Sequence, residues 1–226
     1  ADPICEIARV VDPEEREAIL ARALRYPYDA PERPYLLRDG AAVELPDEPD
    51  LDGREPLLAY GANAAPEALA RKLAALPGSE LPVLRAEIEG FDVVYSAHVS
   101  PYGSVPATLL ESPGTRAPVF VIHPTAEQRA LLNASEPNYD MVELDGLGAY
   151  RSKHGFLSLD GSPVALAAVR SQGRTLPELD EPAVLERVRA QLAPELDLGT
   201  FVHHCVEQGG IKPLPELRRI LPPPGR

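Results

Sequence analysis

The chain of 226 residues is 44% hydrophobic and 25% charged, which is the composition of a globular protein and not of a disordered one. Its net charge of −13 repels phosphate backbones, and the largest basic cluster, Arg218-Arg219, is too small to form a binding patch, so nucleic acid is not an expected partner. No apolar run reaches the ~18 residues that a membrane span needs, so no membrane partner is expected either.

Cysteine usage and the start of the chain bear on the compartment. Cys5 and Cys205 are the two cysteines, and reduced thiols are the expectation for a chain of this size. No secretory signal is visible, although a chain that begins at Ala1 leaves a removed signal peptide open. We predict a cytoplasmic protein, and the excess of arginine over lysine, with abundant proline and alanine, is typical of a GC-rich bacterial genome.

A helix and a hairpin are predicted first. Asp12 can cap the helix, a proline suits its first turn, and an apolar stripe follows over residues 19–24. Two short strand patterns flank Asp39-Gly40, a dipeptide that favours a tight hairpin turn. The acidic stretch from Pro46 to Arg54 resembles a linker, so we assign residues 1–54 to an N-terminal extension.

The middle segment mixes strands with two helices. Its first strand, Leu57 to Tyr60, is apolar throughout, and a helix follows after a short loop. A second helix is capped by Thr125, with Gln128 completing a capping box. Gly90 and Ser112-Pro113-Gly114 are interpreted as breaks between strands. The further strand patterns are Val83–Glu89, Phe91–His98, Ala107–Leu110, Pro118–His123 and Tyr139–Leu144.

The C-terminal residues predict a hairpin around Asp160-Gly161, helices near Pro182–Leu192 and Thr200–Gln208, and an unpacked tail at Pro222–Gly225. We assign residues 55–146 to a central domain and residues 147–226 to a C-terminal extension. Because strands outnumber helices and the two kinds mix, the predicted fold class is α+β, with a mixed, barrel-like sheet and flanking helices. The two extensions either pack onto the sheet or form a homodimer surface, and the sequence leaves both open.

Tyr60, Gly61, Ala62, Asn63 and Ala64 form the loop between the first central strand and its helix. Gly61 permits a tight turn, and the small alanines let a ligand approach the main chain. Successive N–H groups near a helix start make a concavity that suits an anion such as a carboxylate. The alternative is a plain strand-to-helix connection capped by Asn63, and spacing alone favours that alternative.

Glu136 is the second residue of interest. It follows a capped amphipathic helix and precedes Pro137, so its carboxylate lies at a structured helix end. A carboxylate that is partly removed from water is suited to proton transfer. Taken alone, a solvated surface glutamate is the better interpretation, because most glutamates are exposed.

Together, these two features resemble the γ-glutamylcyclotransferase-like family, which has a Tyr-Gly-Ser-Asn loop after its first strand. The family then shows a Gly-aromatic strand pair, an Ala-Thr strand followed by Ser-Pro-Gly, a strand, a helix ending Leu-Asp-x-x-Glu-Gly, a Tyr and a Val-rich strand. Order and spacing agree over about ninety residues, from about Leu57 to Leu144. The matching segments are Tyr60–Asn63, Gly90-Phe91, Ala107–Gly114, Val119–Ile122, Leu132–Glu136, Tyr139 and Val142.

The resemblance implies an enzyme that needs no metal or organic cofactor and acts on a small-molecule γ-glutamyl amide. The substrate's own α-amine attacks its γ-carbonyl, so that 5-oxoproline forms and an amine leaves. Glu136 is implied as general base and then general acid. The amides of residues 61–64 are implied to hold the glutamyl carboxylate or the oxyanion, Tyr139 to hydrogen-bond the glutamyl unit or Glu136, and Tyr60 to shape the pocket wall.

Three positions depart from the family pattern. Ala62 replaces the usual Ser, Asn133 replaces the Asp, and Pro137 replaces the Gly after the Glu. Pro137 also removes a backbone donor and stiffens that corner. Two alternatives follow: a ligand-binding or assembly module without turnover, and an amide hydrolase or acyl transferase on the same fold. A buried Glu136 that faces the loop across a cavity favours an enzyme, whereas an exposed Glu136 favours the module.

The histidines suggest no metal site. His203 and Glu207 are four residues apart and share a helix face, an arrangement that can ligate a metal. No second ligand cluster and no Cys-x-x-Cys accompanies them, so a structural helix is the better interpretation. His98, His123 and His154 are isolated in sequence and are interpreted as structural.

Overall fold

The computed structural model describes residues 12–215 and 217–219. Cys5 and the proline-rich segment Pro222–Gly225 lie outside the described residues. The reduced Cys5 thiol and the unpacked tail therefore stay predictions.

The described residues form five α-helices: α1 (Pro13–Leu24), α2 (Pro66–Lys72), α3 (Ala126–Ala134), α4 (Glu181–Leu192) and α5 (Leu198–Glu207). They also form twelve strands: β1 (Tyr35–Arg38), β2 (Ala41–Glu44), β3 (Leu57–Ala59), β4 (Glu80–Tyr95), β5 (Ala107–Ile122), β6 (Tyr139–Leu144), β7 (Leu147–Ser152), β8 (Phe156–Leu159), β9 (Ser162–Pro163), β10 (Ala165–Leu166), β11 (Glu178–Leu179) and β12 (Arg218–Arg219). A turn of 3₁₀-helix, Ala62–Ala64, joins β3 to α2. Within residues 12–215 and 217–219, no helix is long and apolar enough to cross a membrane.

Nine of the described strands form one large sheet in the order β11-β10-β4-β5-β3-β7-β6, with β1 paired to β4 and β2 paired to β1. β12, β8 and β9 form a second sheet of three strands. Most pairs are antiparallel, but β3 pairs with β7 and β10 pairs with β11 in parallel. The prediction of a mixed α+β fold with flanking helices is confirmed at this level.

The barrel-like form of the sheet is not confirmed, because the described strands do not close into a barrel. Among the described strands, β6 lies at one end of the sheet and pairs with β7 alone. At the other end of this described sheet is β11, which has two residues and pairs with β10 alone. Closure requires hydrogen bonds between the first and last strands, and a strand of two residues has too few groups to form that seam.

Two long strands, β4 and β5, dominate the sheet. Each has 16 residues, and they pair along their whole length. The prediction of four separate strands here is wrong. The pairing register shifts between Glu89 and Phe91, where Gly90 has a φ of 78°, and Ser112–Gly114 bulge out of the ladder instead of ending a strand. A bulge accommodates Pro113 because its residues need not donate to the partner strand.

β7 has no counterpart among the predicted strands, because its residues follow the assigned end of the central domain at residue 146. It pairs in parallel with β3 and antiparallel with β6, and it brings Tyr150 into the sheet. β1 and β10, from the two predicted extensions, pair with β4. All three predicted segments therefore contribute strands to the same sheet.

β3 is buried on both faces, which accounts for its continuous apolar sequence. Leu57 packs in a cluster with Leu69, Ile122 and Leu132, next to α2 and α3. Leu58 belongs to a larger cluster that includes residues of α4 and α5. Successive strand residues point to opposite faces, so β3 connects two cores and gives the following loop a fixed starting point.

The predicted helix caps are confirmed. The Asp12 side chain accepts a main-chain N–H in the first turn of α1. Thr125 and Gln128 form a complete capping box at the start of α3. That helix ends at Ala134 with Ser135 as its C-cap, so Glu136 is held just beyond a well-defined helix end.

Candidate functional site

A cavity of about 310 Å³ lies between the loop after β3, the end of α3 and the residues that follow α1. Tyr60–Asn63 and Glu136 both line it. Tyr139 from β6, Tyr150 from β7 and Tyr26 also contribute to its walls. The two features singled out in the sequence therefore share one cavity.

Glu136 is held at the cavity wall by two partners. Its Oε1 atom accepts a hydrogen bond from Asn63 Nδ2 at 3.0 Å and lies 2.5 Å from Lys72 Nζ. Lys72 Nζ also donates to Asn63 Oδ1 at 2.7 Å, which closes a triangle of contacts. The side chains of Glu136 and Lys72 are only 14% and 8% exposed. The carboxylate is therefore fixed and charge-balanced instead of solvated.

The local fold explains how these three side chains meet. Lys72 is the last residue of α2, where a cation is favoured by the negative end of the helix dipole. Asn63 lies in the 3₁₀ turn before the same helix, and Glu136 follows α3. Since α2 and α3 both pack against β3 through Leu69 and Leu132, their ends are brought to the same side of that strand.

Gly61 is required because the Tyr26 side chain approaches it closely, and not because of its backbone conformation. Its φ of −130° is open to other residues. A Cβ atom at this position would lie 2.6 Å from the Tyr26 hydroxyl oxygen. The sequence predicted Gly61 for a tight turn, but the structure shows that Tyr26 occupies the space a side chain would need.

The amides of the loop differ in their partners. The N–H groups of Ala64 and Ala65 close the 3₁₀ turn through internal hydrogen bonds. In the described part of the chain, the N–H groups of residues 61–63 have no acceptor, so they can bind a ligand. Ala64 does not line the cavity: it packs in the core beside α2, and its carbonyl accepts the Tyr35 hydroxyl at 2.8 Å.

Tyr60 and Tyr139 line the cavity beside Glu136, but their hydroxyl protons are already committed. Tyr60 donates to the main-chain oxygen of Tyr150, and Tyr139 donates to that of Ala107 at 2.9 Å. Burial raises the pKa of both tyrosines, and the charge of Glu136 raises it further. Both therefore stay neutral, and each presents a hydroxyl oxygen and a ring to the cavity. The predicted hydrogen bond from Tyr139 to Glu136 is absent from the described contacts.

His98 also lines the cavity, within a chain of hydrogen bonds. Its Nδ1 atom lies 2.7 Å from Ser96 Oγ, which lies 2.6 Å from Ser152 Oγ. Ser152 Oγ accepts the N–H of His154 at 3.0 Å. If the Ser152 hydroxyl donates to Ser96 Oγ, the Ser96 hydroxyl donates in turn to His98 Nδ1. In that arrangement Nδ1 is an acceptor, and the neutral ring carries its proton on Nε2.

The replacement of His98 by Gln is expected to make folding less sensitive to acid. Burial lowers the pKa of His98 from 6.5 to about 3, so the unfolded chain binds this proton before the folded protein does. The contribution of neutral His98 to the free energy of unfolding is complete above the pKa of the unfolded chain. It is lost as pH falls toward the pKa of the folded protein, by up to about 1.4 kcal/mol per pH unit. Urea unfolding of the parent and the variant at a series of pH values measures the free energy of unfolding of each. If the two free energies fall equally between pH 6.5 and pH 3, the assigned role of His98 is contradicted.

An aromatic and basic wall bounds another part of the cavity. The Arg71 guanidinium lies 5.7 Å from the ring centre of Tyr28 and 5.0 Å from that of Tyr102. Arg22 lies 5.2 Å from the same Tyr102 ring, which is 37% exposed. Cation–π contacts of this kind hold the guanidinium groups in place, so this wall is ordered and positively charged.

The His203–Glu207 pair remains a pair of neighbours on one helix. His203 Nδ1 lies 3.5 Å from Glu207 Oε2 on one face of α5. Throughout the described ranges 12–215 and 217–219, no group of three or more His, Cys, Asp or Glu side chains could hold a metal ion.

Lys72, Tyr26 and His98 are among the residues that join the site without a sequence prediction of a functional role. Lys72 had a weak signal, because it is one of three lysines in a chain that otherwise uses arginine. Tyr26 lies in the segment assigned to the N-terminal extension, and no local pattern connects it to Glu136. His98 was interpreted as structural because it is isolated in the sequence, and its hydrogen-bonded chain includes Ser152, which is 54 residues away and which no local pattern connects to it.

Comparison with known proteins adds no relative: no protein-family model matches the chain, and no curated protein or solved structure matches it. The likeness to γ-glutamylcyclotransferase-like proteins therefore depends on the motif order in the sequence.

Proposed function

We propose that the protein cleaves γ-glutamyl amides by cyclisation and releases 5-oxoproline and an amine. The observation that supports this most directly is the placement of Glu136. It is a largely buried carboxylate, fixed by Asn63 and Lys72, on the same cavity as the uncommitted N–H groups of residues 61–63. This arrangement supports an enzyme over a binding module.

The first step is proton transfer with ring closure. Glu136 takes a proton from the α-ammonium of the substrate, and the freed amine attacks the γ-carbonyl carbon of the same molecule. A C–N bond forms, and the carbonyl π electrons move onto the oxygen. Intramolecular attack in a fixed geometry has an effective molarity of about 10⁵ M or more. Lys72 helps to position the carboxylate for this transfer through its 2.5 Å contact with Glu136 Oε1.

The second step expels the amine. Glu136 returns its proton to the amide nitrogen, the original C–N bond breaks, and the electron pair leaves with that nitrogen while the carbonyl re-forms. The new ring nitrogen still carries one extra proton of the former ammonium. It gives that proton to the Glu136 carboxylate, which passes it to the departing amine, so that the amine leaves as an ammonium. Glu136 ends as a carboxylate paired with Lys72, and no water is consumed. One carboxylate thus performs both transfers, while the N–H groups of residues 61–63 bind the glutamyl carboxylate or the oxyanion.

The basic wall bears on the amine half of the substrate. Arg71 lines the cavity and is positioned over the ring of the exposed Tyr102, whereas Arg22 contacts the same ring without lining the cavity. A guanidinium there favours an amine half that carries a carboxylate. We expect a higher kcat/KM for γ-glutamyl-alanine than for γ-glutamyl-methylamide.

The decisive experiment measures 5-oxoproline release from γ-glutamyl-alanine, with N-acetyl-γ-glutamyl-alanine as the matched control. Acetylation removes the nucleophilic amine, so a cyclising enzyme releases alanine only from the first compound. Release of alanine from both compounds, with free glutamate and no 5-oxoproline, would indicate an amide hydrolase. Binding of γ-glutamyl-alanine without release of any product would indicate a binding module.

A further inference from the structure

Tyr26 presents its hydroxyl to the loop of the proposed active site, although it belongs to the segment before residue 55. The side chain is 8% exposed and lines the cavity. Its hydroxyl oxygen lies so close to Gly61 that a Cβ atom there would be 2.6 Å away. The hydroxyl is therefore adjacent to Gly61, the first of the three loop residues whose N–H groups have no acceptor in the described part of the chain.

The Tyr26 hydroxyl differs from those of Tyr60 and Tyr139 in its hydrogen bonding. Tyr60 and Tyr139 donate their protons to main-chain carbonyls. The Tyr26 oxygen instead accepts the N–H of Ala107 at 2.7 Å, which orients the hydroxyl. Within the described residues, its own proton has no acceptor. Burial raises the pKa of Tyr26 well above 10, so the proton stays on the oxygen.

We propose that Tyr26 is a catalytic residue that donates its hydroxyl hydrogen bond to the γ-carbonyl oxygen of the substrate. This inference rests on the proposed cyclisation. When the α-amine attacks, the carbonyl π electrons move onto that oxygen, and the donor stabilises the negative charge. The proton stays on Tyr26 throughout, and the electrons return when the amine leaves. Preorganised donors of this kind act more strongly in a water-excluded site.

Gly61 and Tyr26 therefore form a functional pair. The absence of a side chain at residue 61 lets the hydroxyl lie against the loop. The alternative is that Tyr26 is purely structural and only satisfies the Ala107 N–H. The two roles predict different effects of removing the hydroxyl. If Tyr26 is catalytic, its loss lowers kcat. If Tyr26 is structural, its loss lowers the stability of the fold and leaves the kcat of the folded enzyme unchanged.

The first test is Tyr26→Phe, assayed with γ-glutamyl-alanine. We expect kcat to fall by about 100-fold with KM changed only a few-fold, as for the loss of one oxyanion donor. Tyr95→Phe is the matched control, because Tyr95 is also buried and bonds to the Leu179 carbonyl at 3.0 Å but does not line the cavity. It is expected to keep the parent kcat.

The second test uses Gly61→Ala, which keeps the Tyr26 hydroxyl but displaces it. We expect kcat to fall in the parent background and to change little further in the Tyr26→Phe background, because the clash involves the missing hydroxyl. Additive losses in the double variant would contradict the proposed pair.

The outcomes separate this inference from the proposed function. Suppose that the parent releases 5-oxoproline, Glu136→Gln does not, and Tyr26→Phe keeps kcat within about threefold of the parent. Then Tyr26 is structural and the cyclisation stands. A parent protein that releases no 5-oxoproline overturns the cyclisation, and the role of Tyr26 with it.

Discussion

Replacing Glu136 by Gln is expected to lower 5-oxoproline release from γ-glutamyl-alanine by at least about 1,000-fold. General acid–base catalysis contributes about 10²- to 10⁴-fold to a step, and this carboxylate serves both steps. Glutamine keeps an oxygen that can accept from Asn63 Nδ2, so the side chain can stay in place. It can neither take the ammonium proton nor return it, and the loss is therefore in chemistry and not in shape.

The control for this variant must account for Lys72. The Lys72 side chain is 8% exposed and loses its charge partner in Glu136→Gln, and an unpaired buried charge destabilises the fold. We expect the double variant Glu136→Gln with Lys72→Met to recover stability in thermal unfolding while remaining inactive. Glu127→Gln, on the exposed first turn of α3, is expected to keep full activity. Release that is indifferent to Glu136 would refute its assigned role.

Replacing Asp92 by Ala is expected to destabilise the fold by about 3–5 kcal/mol, the range for breaking one side of a buried ion pair. Asp92 is completely buried, and both its oxygens accept from Arg174 at 2.8 Å. It also accepts from Ser171 Oγ at 2.8 Å and from the Val93 N–H at 2.9 Å. Its removal leaves these donors unsatisfied, and the Arg174 guanidinium keeps only the more exposed Glu178 as its charge partner.

Urea unfolding measures this effect against an exposed pair. Asp160 lies 2.5 Å from Arg187, with their side chains 76% and 44% exposed, so Asp160→Ala is expected to cost less than about 1 kcal/mol. The double variant Asp92→Leu with Arg174→Met is expected to be more stable than Asp92→Leu alone, because no charge is left buried. Equal losses at Asp92 and Asp160 would contradict the role assigned to the buried pair.

Features set by neighbouring residues were predictable. The caps at Asp12 and Thr125, the hairpin turn at Asp39-Gly40 and the end of α3 before Glu136 all agree with the structure. Each depends on hydrogen bonds or turn geometry within a few residues of the chain. Such interactions are specified by the local sequence whatever the rest of the fold does.

Strand continuity was less predictable. Ser112–Gly114 has the composition of a turn, yet it forms a bulge within β5 because β4 continues past it and pairs on both sides. β7 begins directly after the tight turn that follows β6, and it was missed although it lies next to β3. Whether a polar, glycine-containing stretch turns back or bulges depends on the partner strand, which a local pattern does not contain.

The sequence by itself determined the caps of α1 and α3, the buried first strand and the two features, the Tyr60–Asn63 loop and Glu136, that line the cavity. Only the tertiary structure decided that Lys72 balances Glu136, that Tyr26 explains Gly61, and that the described sheet stays open. The physical reason is the range of the interactions. Caps and turns form between near neighbours, whereas ion pairs, close approaches and sheet edges join residues that only packing of the whole chain brings together.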